Sequence, residues 1–396
     1  MLSKRAEHLK PSPTLALAAK AKELQSQGHP VVSLTVGEPD WPTLKVAADA
    51  GIEAIQKSIT KYTPAGGTIE LRKAIVSRMK KELGIEYGPN QISVASGAKY
   101  SIFAALQVLC DESSEVIIHT PYWVSYPTMA ELSGAKAVIV DCGEKENFKL
   151  TAQCFEAAIT PKTKVFLFCS PSNPTGLMYT KQELTAFAEV LRKNPHVYVI
   201  SDDIYNRLVF EKDPSGKETI APHLLQVAPD LKERVVCING ASKAFSMTGW
   251  RIGWAAGPQK IIQSMADYQS QSTGAPCAIS QFATLAALEK GDSQVEEVVG
   301  KLRDRKTKFF EWMKEVPMME TFEPNGAFYF WVGIQKLTGR FWKETQIKDD
   351  RDVSQILLEK FHVAVVPGFE CGSPGYLRLS FATDEKSFRE AVDRFK

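Results

Sequence analysis

The chain has 396 residues, of which 44% are hydrophobic and 24% charged, and its formal net charge is +2. That length exceeds one ordinary core and predicts a large domain with a smaller one beside it. The near balance of charge, without a dense basic tract, speaks against nucleic-acid and anionic-membrane partners and leaves small metabolites as the expected ligands.

The start, MLSKRAEHLKPSPTLALAAK, lacks an uninterrupted apolar core of signal-peptide length, and no later uncharged apolar run reaches the length of a membrane span. Cysteines stand at 110, 142, 154, 169, 237, 277 and 371, an odd number with no CxxC pair. This scatter predicts reduced thiols in a cytoplasmic protein, not a disulfide framework or a zinc site. The six histidines are dispersed and none forms HExxH, so no metal is expected.

Residues 1–44 offer no strand to the main series and are expected to pack with the smaller domain. Residues 45–294 form the expected large domain. From about residue 91 the runs QISVAS, EVIIHT, KAVIVD, KVFLFCS, HVYVISD, RVVCIN and IGWAAG alternate with amphipathic stretches at 98–110, 122–133, 151–159 and 180–193. Val- and Ile-rich strands separated by helices predict an α/β fold with a mainly parallel sheet sandwiched by helices. Residues 295–396 change character: a long charged helix over 295–315, strands near AFYFWV, HVAVV and YLRLSF, and a last helix from Asp384. These predict a small α+β domain, completed by the N-terminal segment.

In open α/β sheets a ligand sits beyond the carboxyl ends of the strands. After QISVAS come Gly97, Ala98 and Lys99, where small residues let backbone N–H groups approach an anion at a helix N-terminus. Taken alone, those residues more often mark an ordinary strand-to-helix turn. After KVFLFC, Asn173 sits in the turn SPSNPTG. Asp202, at the end of HVYVIS, either caps the next element or is a buried acid awaiting a cationic heterocycle. Trp123 follows EVIIHT. The stretch NGASKAFSMTGWRIGWAAGP sets Lys243 and Arg251 among Phe245, Met247, Trp250 and Trp254. Two cations in such surroundings are expected to be partly buried and to need partners.

The motifs GEPD, KYTPAGG, PYW, SNPTG, SDDIY and SKAFSMTGWRIG, in this order, resemble the fold-type I pyridoxal-phosphate aminotransferases of class I/II, and within them the bacterial-type aspartate aminotransferase subgroup, over a match that runs from about Leu9 to the C-terminus. The resemblance implies pyridoxal 5'-phosphate as cofactor and Lys243 as the lysine that bonds its aldehyde and shuttles the substrate's α-proton. Arg251, Ser242 and the amides at Gly97 and Ala98 then hold the phosphate. Asp202 keeps the pyridine nitrogen protonated, Tyr205 and Asn173 bond the phenolic oxygen, and Trp123 stacks on the ring. Tyr62 matches the residue that reaches a phosphate in a neighbouring subunit, which implies a homodimer with a shared active site. Arg378 matches the clamp of the substrate α-carboxylate, Gly37 approaches the substrate through its backbone, and Lys99 matches the contact to a second carboxylate. Read without the family, the alternatives are a core tryptophan at Trp123, a solvent-facing strand residue at Arg378 and a solvated helix residue at Lys99. Asp203, where relatives more often carry glutamate, is expected to point away.

Two departures stand out. GEPD is followed by WPTL where relatives commonly show FDTP, and Gly240 stands where some distant aminotransferases carry a phosphate-binding serine. The implied reaction is ping-pong transamination of L-aspartate and 2-oxoglutarate to oxaloacetate and L-glutamate. An aromatic or prephenate aminotransferase is the alternative, followed by a carbon–sulfur lyase on the same fold and, last, a non-enzymatic regulatory module.

Overall fold

The seven apolar runs between residues 91 and 257 fold into one sheet. A computed structural model of the chain describes residues 2, 3, 6, 7, 9 and 11–396. In spatial order the strands are Ile92–Ala95, Gly253–Ala256, Val235–Gly240, Tyr198–Asp202, Thr163–Cys169, Glu115–His119 and Lys136–Val140. The last five run parallel to one another, whereas Gly253–Ala256 is antiparallel to both of its neighbours. A parallel strand is covered on both faces, and this explains unbroken apolar runs such as Val165–Cys169, buried throughout.

Aromatic packing ties the helices to this sheet. Phe155 on the helix Ala152–Ala158 lies 4.3 Å from Phe166, and Phe187 on the helix Lys181–Lys193 meets Phe166 edge-on at 5.6 Å. Burial of each such ring contributes about 1.5–3 kcal/mol. The helix carrying Phe187 starts where Thr180 and Glu183 form a reciprocal capping box. One expected helix is shorter than its pattern. Within 122–133 only Tyr126–Leu132 is helical, because Pro127 is tolerated only in a first turn and Tyr122 N–H donates to Cys371 O instead. Trp123 is thereby left in the turn before the helix.

Beyond the 22-residue helix Asp292–Met313, a four-stranded antiparallel sheet follows the order Val366–Pro367, Tyr376–Ser380, Tyr329–Gly333, Glu320–Phe322. The run HVAVV is therefore split: Val363–Ala364 pairs in parallel with Val32–Ser33 near the other end of the chain. Asp384 caps the last helix, Glu385–Phe395, by accepting from Ser387 N–H. Among the described residues no helix is long and apolar enough to cross a membrane.

Candidate active site

The carboxyl ends of the central strands open into a cavity of about 450 Å³. Eleven of the expected residues line it: Gly37, Ala98, Lys99, Trp123, Asn173, Asp202, Tyr205, Ser242, Lys243, Arg251 and Arg378. They come from segments spread over more than 300 residues, and the strand ends bring most of them together. Gly97 stands just behind this lining. Its φ is +95°, and a Cβ there would lie 2.5 Å from Arg251 Nη2, so glycine lets the guanidinium rest on the start of the helix Ala98–Leu109. Gly253 is equally constrained, because a Cβ would fall 2.1 Å from Ala98 N. Tyr62 is not in this lining; its side chain is fully exposed.

Lys243 follows the strand Val235–Gly240 and points its amine into the cavity, where Nζ donates to Gly37 O. Burial lowers its pKa to about 8. Asp202 closes its strand with a buried carboxylate: Oδ2 accepts from Tyr126 Oη at 2.6 Å and Oδ1 from Ile204 N–H at 3.3 Å. Burial raises this carboxyl to about 6, and the charge of Asp203 adds to the effect. Asp203 does point away. It accepts from Ser201 Oγ at 2.6 Å and faces His223 Nε2 at 3.3 Å.

Arg378 is 2% exposed, opposite Trp331 and Val366 in the antiparallel sheet. Its Nη1 donates to Asn173 Oδ1 at 2.8 Å and its Nη2 to Thr35 O at 2.6 Å, while Nε has no partner. No carboxylate among the described residues forms an ion pair with it. A buried guanidinium without a counter-charge calls for an anionic ligand. The solvent-facing alternative for this strand residue is thus set aside. Because Asn173 spends its oxygen on Arg378, its amide N–H groups are the part free to serve a ligand acceptor.

Arg251 departs from expectation. It is exposed, not partly buried, with a backbone φ of 55° that turns the side chain out of the packed run to the cavity rim. There Nη1 donates to Thr248 O at 2.9 Å. Lys99, on the first turn of its helix, holds Nζ 5.3 Å from the centre of the Trp123 ring, and burial, then the Arg251 charge, lowers its pKa. Trp123 stands edge-on to Tyr126 at 5.4 Å and presents its face to the cavity side chains. Four cationic side chains, Lys99, Lys243, Arg251 and Arg378, therefore share the lining with one carboxylate, Asp202. Such a site favours a ligand with several negative charges.

Residues 29–395 match the family model for aminotransferases of class I and II. The chain belongs to that aminotransferase family. It is 41% identical to the aspartate aminotransferase of Bacillus subtilis, over 100% of this chain and 98% of that protein. It is also 41% identical to the aspartate/prephenate aminotransferase of Nitrosomonas europaea, over 99% and 98% of the two chains. The crystal structure of the aspartate aminotransferase from Rhizobium meliloti superposes with a TM-score of 0.94 at 38% identity, covering 100% of this chain and 98% of that one. The fold is thus that of the fold-type I pyridoxal-phosphate enzymes, and the family implies the cofactor.

Sequence reading missed nine residues of the aminotransferase cavity. Ser12, Thr14 and Leu15 reach it from the N-terminal segment, and Ile102, Ser125, Tyr126, Cys169, Ile204 and Tyr329 complete the wall. Tyr126 had a findable signal, lying three residues beyond Trp123 on the same strand-end segment; Ser12, Thr14 and Leu15 had none, since only tertiary packing brings them there. Asp203, His223 and Cys237 form the one cluster of metal-type side chains found among the described residues, with ligand atoms within 4.8 Å of one another. His223 Nδ1 accepts from Leu225 N–H at 3.1 Å, so the ring proton resides on Nε2, the nitrogen facing Asp203.

Proposed function

We propose that this aminotransferase transfers the amino group of L-aspartate to 2-oxoglutarate by a ping-pong route, with pyridoxal 5'-phosphate held in the cavity described above. The observation that carries the reading is the Lys243 amine, opening on a cavity that also contains the buried Asp202 carboxylate and an Arg378 without a counter-charge.

The residues suit the cofactor. Arg251, Ser242 and the Gly97–Ala98 turn make a phosphate cradle at a helix N-terminus. Asp202 is the buried acceptor for the ring N–H, Asn173 and Tyr205 serve the phenolic oxygen, and the Trp123 face covers the ring. When bound, pyridoxal phosphate supplies the aldehyde that takes up the substrate amine and the protonated ring that accepts the electron pair left by the α-proton. Lys243 Nζ, with its pKa lowered to about 8, is the base that removes that proton and later returns it. Arg378 holds the substrate α-carboxylate, Gly37 keeps the backbone close beside it, and Lys99 receives the second carboxylate.

Tyr62, exposed on its own chain, is assigned to the phosphate of a second copy, in a homodimer with shared sites. The division into residues 1–44 with 295–396 as the small domain and 45–294 as the large one is supported by the pairing of Val32–Ser33 with Val363–Ala364. Seven free thiols support a cytoplasmic location.

Uptake of pyridoxal phosphate by the cofactor-free protein should be strongly pH-dependent. The Asp202 carboxyl, raised to about 6, is protonated below that pH and charged above it, whereas the Lys243 amine loses its proton as pH rises through about 8. Growth of the visible band should therefore be slow near pH 5, quicken through about 6 and level off above about 8. A rate that is flat over this range contradicts the assignment of both groups.

The deciding test is the visible spectrum of cofactor-loaded protein before and after L-aspartate alone. Conversion of the aldehyde form to the amine form is expected, and an unchanged spectrum with both L-aspartate and L-glutamate rules the reading out. Prephenate also bears two carboxylates, so Arg378 and Lys99 accommodate it as well; the name of the Nitrosomonas europaea relative gives this second acceptor its weight. Rates with 2-oxoglutarate, prephenate and phenylpyruvate, measured side by side, separate the acceptors. Pyruvate and ammonia released from cystathionine would instead mark a carbon–sulfur lyase.

A further inference from the structure

Tyr329 begins the strand Tyr329–Gly333, and its hydroxyl lies 2.7 Å from that of Tyr205, which comes from the end of a strand in the other sheet. Both side chains are buried. The Tyr329 ring is held from three directions. The Arg378 guanidinium lies 4.6 Å from its centre, two residues along the paired strand from Ser380, its direct opposite. Tyr205 meets it edge-on at 5.8 Å. Gly37 presses from the remaining side, where a Cβ would fall 2.5 Å from the Tyr329 hydroxyl. The absence of a side chain at Gly37 thus leaves room for the Tyr329 hydroxyl.

Two phenol hydroxyls joined by one hydrogen bond have two arrangements, since each can donate or accept. If Tyr205 donates to Tyr329, its proton is spent inside the protein. If Tyr329 donates, the Tyr205 proton is free for an acceptor in the cavity. The cation over the Tyr329 ring favours the second arrangement, because a nearby positive charge makes a phenol the better donor. Donation into Tyr205 also polarises its O–H and strengthens the bond that it makes onward.

We infer that Tyr329 is a positioning residue for Tyr205: its hydroxyl donates to Tyr205 and so commits the Tyr205 proton to the phenolic oxygen of the cofactor. This rests on the proposed cofactor role of Tyr205. With the cofactor bound, a donor from Tyr205 would stabilise negative charge on its phenolic oxygen and so favour the deprotonated form of the chromophore. Loss of the Tyr329 hydroxyl weakens that donor. The proton is then held more tightly, and the pH at which the visible band changes moves upward.

The experiment is a double-mutant cycle on cofactor-loaded protein, with Tyr329→Phe, Tyr205→Phe and the double variant, each read by pH titration of the visible band and by kcat and KM for L-aspartate. Phenylalanine at 329 keeps the ring, its packing and the contact with Arg378. Tyr205→Phe should raise the midpoint most. Tyr329→Phe should raise it by about half a pH unit, the share of one hydrogen bond, and lower kcat more than it changes KM. In the Tyr205→Phe background, Tyr329→Phe should add nothing further. An unmoved midpoint in Tyr329→Phe overturns the inference, and so does a shift of equal size in both backgrounds, which would make Tyr329 independent of Tyr205. Unaltered protein with no visible band after loading would overturn the functional reading itself, an outcome distinct from either.

Discussion

Lys243→Ala should abolish the visible band of the cofactor-loaded protein and lower transamination by at least about 10⁴-fold, the combined loss of covalent attachment and of the base at the α-carbon. No neighbour can substitute. Among the residues of the lining, the other amine is Lys99, whose Nζ is engaged over the Trp123 ring. Arg251 and Arg378 carry planar guanidinium groups, which suit anion binding and do not replace a primary amine. Folding should survive, because the Lys243 side chain makes its one hydrogen bond to Gly37 O at the cavity and removal of a desolvated amine relieves a cost. Circular dichroism and thermal unfolding should therefore match the unaltered protein. Full transaminase activity in this variant would refute the assignment.

Arg378→Ala should reduce kcat/KM for L-aspartate by about 10²–10³-fold, equivalent to roughly 3–4 kcal/mol for truncating one partner of a buried, charge-assisted carboxylate contact. The structure adds a second consequence. Asn173 Oδ1 and Thr35 O lose their donors together, so Asn173 is freed to rotate away from the cofactor side. Arg378→Lys should recover only part of the loss, since an ammonium restores the charge but cannot reach Asn173, Thr35 and a substrate carboxylate in one plane. Steady-state kinetics with L-aspartate, alongside the cofactor band as a check on loading, reads both effects. A change confined to thermal stability would mean that Arg378 holds the two strands and the turn at Asn173 together and binds no substrate.

Much of the fold was legible in the linear pattern. The seven runs from QISVAS to IGWAAG became the seven strands of the main sheet, and the inner ones are apolar at nearly every position because both of their faces are buried, whereas the edge strand Lys136–Val140 stays partly exposed. The reversed direction of Gly253–Ala256 was not legible, since direction depends on the path of the connecting chain. The shortened helix at Tyr126 was legible in principle from Pro127. Tyr329 was hidden for another reason: AFYFWV reads as a buried strand, and a tyrosine in such a run gives no sign of where its hydroxyl goes.

The amino-acid sequence by itself determined the class of chemistry, for the motifs that hold Asn173, Asp202, Tyr205, Lys243, Arg251 and Arg378 carry the resemblance to the aminotransferase family, and each residue follows or lies within a run whose own composition predicts a strand end or turn. Tertiary structure alone decided the electrostatic state of the site. Whether a lysine is lowered to about 8, a carboxyl raised to about 6, an arginine exposed at a rim or buried without a counter-charge depends on desolvation and on charges from distant segments. Those are properties of the surroundings, and the surroundings of Arg378 come from Thr35, Asn173 and Tyr329, which no local pattern connects.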